Sequence, residues 1–397
     1  MPPKPRILIF SLAYLPLMGG AEYEIKEVTD RLGDKFAFDM ITYRFNSGWP
    51  QEEKIGNINI FRVGQGKNSL EYYGRPLAKI IYVFQALWLA KKLHRQCRYS
   101  LTWAMMAAYA GAAALFFKYL NPKTPFLLTL EEGDPENHIL NRVGILYPLW
   151  SQIFKKADYV QAESNFLAEF GKRHGAKAPV EVIPNGVDVS RFTQNFPAEE
   201  LNKIRRQWQL RPEDKIIITT SRLVSKNAID VLLKSIAEIK TKATDIKCLI
   251  LGSGKDEQEL KKLRKILGLE KEIIFAGEIP QQEIPKYLKI SDVFVRASRS
   301  EGMGNSFIEA MAAGVPIIGT NVGGIPDFLQ DHETGLFVKV DDPKDLAEKI
   351  LLLLQDDDLR QKIVRQGRGL VVNHYSWDKI AQRLGEILNN FCKKFRP

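Results

Sequence analysis

The sequence predicts an α/β protein made of two doubly wound domains, and three observations carry that expectation. Its 397 residues suit two cores better than one. Short buried-looking apolar runs alternate with amphipathic stretches along the whole chain, the pattern of βαβ units and parallel sheets. Midway, "IPNGVDVSRF" (183–192) strings Pro, Asn and Gly into a turn, and a new set of strands begins about 25 residues later. The expected domains are 1–185 and 186–376. A late helical pattern in 377–397, "WDKIAQRLGEILNNF", is too short to start a third domain and is expected to pack back on the first.

The elements follow in order. "KPRILIFSLAYLPLMGGA" has the basic start and apolar run of a signal peptide, but the run is short and broken by Ser11 and Pro16. It reads as a first strand entering a glycine loop at Gly19 and Gly20. "AEYEIKEVTDRLG" is an amphipathic helix that stops at Gly33. "FAFDMITY", "INIFRVG", "FLLTLEE" and "ADYVQAES" are further strands. In the second half the strands are "KIIITTSRL", "IKCLILGSG", "EIIFAGEI", "DVFVRAS" and "PIIGTNV". Between them lie helical patterns such as "AIDVLLKSIAEIKTK" and "DEQELKKLRKILG".

Composition bounds the class. Hydrophobic residues make up 45% and charged residues 26%, which is globular. Cys97, Cys248 and Cys392 are odd in number and widely spaced, so neither a disulfide framework nor a metal knot is expected, and the compartment reads as reducing and cytoplasmic. No stretch reaches the roughly 20 apolar residues of a membrane span. The net charge of +10 is concentrated: between residues 62 and 125 ten Lys or Arg face one acid, Glu71. Such a run is ordinarily a solvated face. It also suits an anionic partner, either a phosphate-bearing acceptor or the acidic inner face of a membrane, where the protein would attach peripherally. Phe84, Trp88, Phe116 and Phe117 lie among these charges, most of them expected in the core. No nucleic-acid motif is visible.

Ligands of parallel sheets sit on the loops at the C-terminal ends of the strands. Four loops qualify. "LMGGAEYE" offers bare backbone at Gly19 and Gly20 and then a helix N-terminus, a setting for phosphate. "TTSRLVSKNAID" places Arg222 and Lys226 just past a strand. "LILGSGKDEQEL" has glycines at Gly252 and Gly254 but lacks the third glycine of a dinucleotide fingerprint. The fourth, "RSEGMGNSFIEAMAAGVP", holds Glu301 in the loop and Glu309 about one turn into the next helix. A carboxylate there can accept from the two vicinal hydroxyls of a ribose; the bland alternative is a favourable charge near a helix N-terminus.

With these motifs in this order, the chain resembles family 4 of the retaining glycosyltransferases, over most of its length. The resemblance implies the GT-B fold, two Rossmann-like domains facing a central cleft. It also implies transfer of a hexose-type sugar from a nucleoside-diphosphate sugar to a glycan or lipid-linked acceptor, as in cell-surface polysaccharide or glycolipid synthesis, with no cofactor or metal. The Glu-x7-Glu spacing of Glu301 and Glu309 is its most specific motif. By the resemblance, Glu309 binds the ribose and Glu301 faces the transferred sugar. Gly302, Met303, Gly304, Asn305 and Ser306 offer backbone N–H groups. Arg222 and Lys226 neutralise the diphosphate leaving group, Gly252 lines the donor site, and Gly19 and Gly20 close on the phosphates. A donor phosphate oxygen takes the acceptor proton, so no protein base is required.

Two positions depart from the family pattern. Where it often has a histidine in a "TLH"-like run, this chain has Glu131 in "LLTLEEGD"; His138 lies seven residues on and is given no role. Glu131 is a candidate contact for a sugar or acceptor hydroxyl. Aligned on Asp230, the usual lysine falls on Asn227, with Lys226 one residue earlier. "DDD" at 356–358 mimics a metal-binding triplet but lies far from every glycine loop and reads as a solvated turn. Two other readings stay open, a nucleotide-sugar epimerase or hydrolase of the same architecture and a non-catalytic sugar-binding protein.

Overall fold

The computed structural model describes residues 3–66, 76–243 and 245–394. The chain forms two compact units, 1–185 with 377–397, and 186–376. Each is a parallel sheet covered by helices on both faces, so the fold is two Rossmann-like α/β domains.

The first unit's strands are β1 (Arg6–Phe10), β2 (Ala37–Tyr43), β3 (Glu52–Ile55), β4 (Ile58–Val63), β5 (Leu101–Met105), β6 (Phe126–Leu130), β7 (Tyr159–Ala162) and β8 (Val180–Val182). Their order is β3-β4-β2-β1-β5-β6-β7-β8, parallel except for the β3/β4 hairpin. Because both faces are buried, alternate residues feed two different cores. Leu8 and Phe10 of β1 point to one, Ile7 and Ile9 to the other. The second core is covered by the helix Gly20–Leu32 and by the late helix Trp377–Lys394, which buries Trp377, Ile380, Leu384 and Leu388 there. Arg31 Nε reaches Asp378 at 2.7 Å between these helices. Gly385 lets them close: a Cβ there would stand 2.9 Å from Leu32 Cδ2.

The second unit contains β9 (Lys215–Thr220), β10 (Ile246–Leu251), β11 (Ile273–Gly277), β12 (Val293–Arg296), β13 (Ile317–Thr320) and β14 (Leu336–Val338), in the order β11-β10-β9-β12-β13-β14, all parallel. Winding reverses between β1 and β5 in the first unit and between β9 and β12 in the second. Such switch points open a crevice beyond the strand ends, and they fix where ligands bind.

Part of the basic 62–125 segment is internal. Arg62 is buried, paired with Glu53 and donating to the carbonyls of Pro50 and Leu15. Lys118 is held by Asp158 at 2.7 Å. Lys67, Glu71 and Arg75 lie outside the described residues. Lys91, Lys92, Arg95, Arg98 and Lys123 are exposed. The aromatic residues also divide differently from expectation. Phe117 is buried and Phe116 half-buried, while Phe84 and Trp88 on the helix Pro76–Cys97 are 62% and 68% exposed. This helix carries apolar residues on two faces. Ala78, Tyr82, Ala86 and Ala90 pack inward, and Ile81, Phe84 and Trp88 line the outside. Among the described residues no helix is long and apolar enough to cross a membrane.

Candidate active site

In the second unit the switch point gathers the loops after β9 and β12. The β12 loop turns into the helix Asn305–Ala313 through Gly304, whose φ of 96° belongs to the left-handed region and suits a residue with no Cβ. Glu301 is 8% exposed, and its Oε2 accepts from Ser298 Oγ at 3.3 Å and pairs with Arg296 Nη2 at 2.7 Å. The loop is braced from behind by Gly323, where a Cβ would stand 1.7 Å from the Glu301 carbonyl oxygen. Met303 is buried. Gly302 is buried too, Asn305 Oδ1 is buried without a partner, and Ser306 Oγ accepts from Arg296 Nη1 at 2.8 Å.

Glu309 lies one turn into the helix and is half-buried. Gln281 Nε2, from the loop after β11, donates to its Oε1 at 2.5 Å. Burial pushes its carboxyl up to about 7, against the opposing pull of Gln281, Arg191 and Arg296. None of those three partners was legible in the sequence, because Gln281 comes from a loop, Arg296 from a strand end and Arg191 from the short helix Val189–Thr193.

After β9, Arg222 is exposed and Lys226 half-buried in the turn Ser225–Asn227. Asn227 is buried; its Nδ2 donates to the Arg222 carbonyl at 2.7 Å and its Oδ1 accepts from Arg296. Arg299 ties the two loops together: its backbone N–H donates to Lys226 O at 2.7 Å and its guanidinium pairs with Asp230 at 2.9 Å, which holds the Asp230 carboxyl below its usual range. Gly252 serves the fold directly. Its N–H donates to Gly277 O, and a Cβ there would stand 2.0 Å from Ser221 O. The glycine thus lets β10 and the Arg222 loop run side by side.

In the first unit, Gly19 and Gly20 open the helix Gly20–Leu32 as read from the sequence, but the Gly19 N–H already donates to Glu22 Oε2 at 2.7 Å. Beyond the C-terminal end of β6 stands a set of carboxyls. Glu131 is 7% exposed and lies against Glu24, which is fully buried and accepts from Gln161 Nε2 at 2.5 Å. Glu131 Oε1 and Glu24 Oε2 have no donor from the protein. Two acids in such contact resolve their repulsion by sharing a proton. Burial raises both carboxyls, and contact with Glu24 raises Glu131 well above the carboxylate range, so the pair retains a proton. Glu132 next door accepts from Ala107 N at 2.6 Å and is pushed by burial to about 7. Glu163 accepts from Asn185 Nδ2 at 3.0 Å. His138 is exposed.

Among the described residues no group of three His, Cys, Asp or Glu side chains is arranged to hold a metal ion. The 356–358 triplet begins a helix instead of forming a turn. Asp356 caps it, accepting from Leu359 N at 2.9 Å, and Asp357 pairs with Arg360.

Two Rossmann-like units, the second with cations and a glutamate-bearing glycine turn at its switch point, have the architecture of the GT-B fold. The sequence comparisons narrow the class. Residues 18–191 match the family described as Glycosyltransferase Family 4, and residues 201–370 match Glycosyl transferases group 1. Together the two matches place the chain among the glycosyltransferases. The chain is 31% identical, over 56% of its length, to the GDP-mannose-dependent alpha-(1-6)-phosphatidylinositol monomannoside mannosyltransferase of Mycobacterium tuberculosis, of which the match spans 58%. It is 25% identical, over 95% of its length and 96% of the other, to an uncharacterized glycosyltransferase of Methanocaldococcus jannaschii. The chain thus spans less than two thirds of the first curated relatives it matches. Among solved structures, Anabaena HepE in complex with UDP and glucose shares the fold at TM-score 0.79, with 18% identity and coverage of 97% and 99% of the two chains. Sucrose-phosphate synthase from Thermosynechococcus elongatus does so at 0.81, with 19% identity and 98% and 99% coverage.

Proposed function

We propose that this protein is a retaining, metal-independent transferase that moves a hexose-type sugar from a nucleoside-diphosphate sugar to a glycan or lipid-linked acceptor. The observation that carries the reading is the pairing at the β9/β12 switch point: Arg222 and Lys226 on one loop, Glu301 and the Gly302–Ser306 turn on the other, with Glu309 a turn beyond. Breaking the bond between the anomeric carbon and the phosphate oxygen leaves negative charge on the diphosphate. Arg222, Lys226 and the N–H groups of the 302–306 turn are set to receive it. Glu309 accepts from the ribose hydroxyls and Glu301 from the sugar. The acceptor hydroxyl proton passes to the departing phosphate oxygen, on the face where the new bond forms, which keeps the anomeric configuration.

The names of the relatives support nucleotide-sugar donors in general, and one names a phosphatidylinositol-linked acceptor. A lipid-linked acceptor agrees with the exposed Phe84, Trp88, Lys91, Lys92 and Arg95 on one helix, which suit attachment to an anionic membrane surface. The decisive experiment is a thermal-shift screen of UDP- and GDP-sugars in EDTA, then NMR of the product anomer formed with extracted lipid and glycan acceptors. A donor that stabilises the fold and a product of retained configuration support the reading. Donor breakdown at full rate without any acceptor would replace it with the epimerase or hydrolase. Flotation with vesicles that ignores anionic lipid content would remove the membrane part.

A further inference from the structure

One charged side chain at the donor site was not singled out by the motifs. Arg296 is the last residue of β12, a strand otherwise made of Val293, Phe294 and Val295. Its side chain is 12% exposed, and its guanidinium touches three separate segments. Nη1 donates to Ser306 Oγ at 2.8 Å, while Nη2 donates to Glu301 Oε2 at 2.7 Å and to Asn227 Oδ1 at 3.3 Å. Nε is buried with no partner. Its charge also reaches Glu309.

A guanidinium placed there is costly to desolvate, and a hydrophobic residue would serve the strand as well. Its surroundings suggest why it is kept. Asn227, which it touches, stands where the resembling family carries a lysine, and Asn227 has no charge. The guanidinium is therefore set against the point from which that lysine would project. The same group grips the one carboxylate assigned to the transferred sugar.

We propose that Arg296 supplies, from the end of β12, the positive charge that Asn227 lacks, and that its ion pair holds Glu301 turned toward the donor sugar. The site then carries cations on both sides of the switch point, Arg222 and Lys226 after β9 and Arg296 at the end of β12. Arg296 is a positioning residue in this account: it acts through Glu301 and through its field on the diphosphate. The proposal rests on the function proposed above for the same site.

The test is a charge-relocation series in the full chain: wild type, Arg296→Gln, Arg296→Gln with Asn227→Lys, and Arg296→Lys. Nucleoside-diphosphate affinity is measured by calorimetry, and kcat and KM for the donor by transfer. Arg296→Gln is expected to lose about 100-fold in kcat. Adding Asn227→Lys is expected to recover at least about ten-fold of that, a rescue that a purely structural role cannot give. Turnover in Arg296→Gln equal to wild type, or no recovery on adding the lysine, overturns the proposal. If Arg296→Gln does not fold, Arg296→Lys decides. A rate within about ten-fold of wild type supports a charge role, and a hundred-fold loss in the folded lysine variant overturns it. Wild type that binds no nucleoside diphosphate or nucleotide-sugar overturns the underlying function as well; binding by wild type with no effect of the series overturns this proposal alone.

Discussion

Glu24 and Glu131 lie carboxyl to carboxyl inside the first unit, and the charges that bear on Glu131 are themselves carboxylates: Glu24, Glu163 and Glu22. The pair is settled by a retained proton. The folded state therefore binds more protons than the unfolded chain, and its stability falls as pH rises from about 4.5 through the raised folded value. Glu131→Gln keeps a donor toward Glu24 and cannot ionise. Relative to wild type it is expected to gain roughly 1–3 kcal/mol at alkaline pH and nothing at about pH 5. Thermal melts at the two pH values check this, and an equal difference at both would sink the shared-proton account.

Glu309 supports a second pH dependence, of opposite sign. The ionised carboxylate accepts from ribose hydroxyls, and burial raises the group to about 7. Donor affinity is expected to weaken as pH falls below that value and to level off above it. Glu309→Gln is expected to bind about 10- to 100-fold more weakly at about pH 8 and to lose the pH dependence. Calorimetric titrations with a nucleoside-diphosphate sugar at several pH values decide the matter; a pH-independent wild type would argue against the ribose assignment.

Arg222→Ala and Lys226→Ala address the leaving group. Charge appears on the diphosphate chiefly as the bond breaks, so each variant is expected to lose about 10²- to 10³-fold in kcat with a smaller change in KM. A rise in KM with kcat preserved would mean that the two cations only bind the donor.

Gly323→Ala tests the brace behind Glu301. The residue has a φ of 55°, and the new Cβ would meet backbone, which cannot swing away as a side-chain tip can. About 1–3 kcal/mol of stability should be lost, together with most activity, although residue 323 bears no functional group. Full activity at unchanged stability would show that the loop has another way to sit.

The buried strands were legible because parallel sheets demand continuous apolar runs: "IIIT" and "CLIL" can hardly be anything else. β5 went unread although it is fully buried, since Thr102 and Trp103 interrupt its signal; Trp103 is explained only by its Nε1 bond to Thr129 Oγ1, 2.8 Å away on β6. The glycine loops and both glutamates of the β12 loop were visible as local motifs. Arg296 was not, because an arginine closing a short strand looks like a solvent-facing residue until Asn227, Glu301 and Ser306 converge on it. Glu131 stood out as a departure, but its partner Glu24 sits mid-helix, where a glutamate is ordinary. Which of the four aromatics would be exposed is not legible for a related reason: helix periodicity locates an apolar face, and the helix bearing Phe84 and Trp88 has two.

The return of the helix Trp377–Lys394 to the first unit has a consequence for synthesis. Residues 186–376 are continuous and complete as soon as they leave the ribosome, so the second unit can fold as a block. The first unit, although translated earlier, waits with the face bearing Ile7 and Ile9 partly uncovered until the last helix emerges. The unit translated first is thus the one whose core cannot close until the helix Trp377–Lys394 has been made.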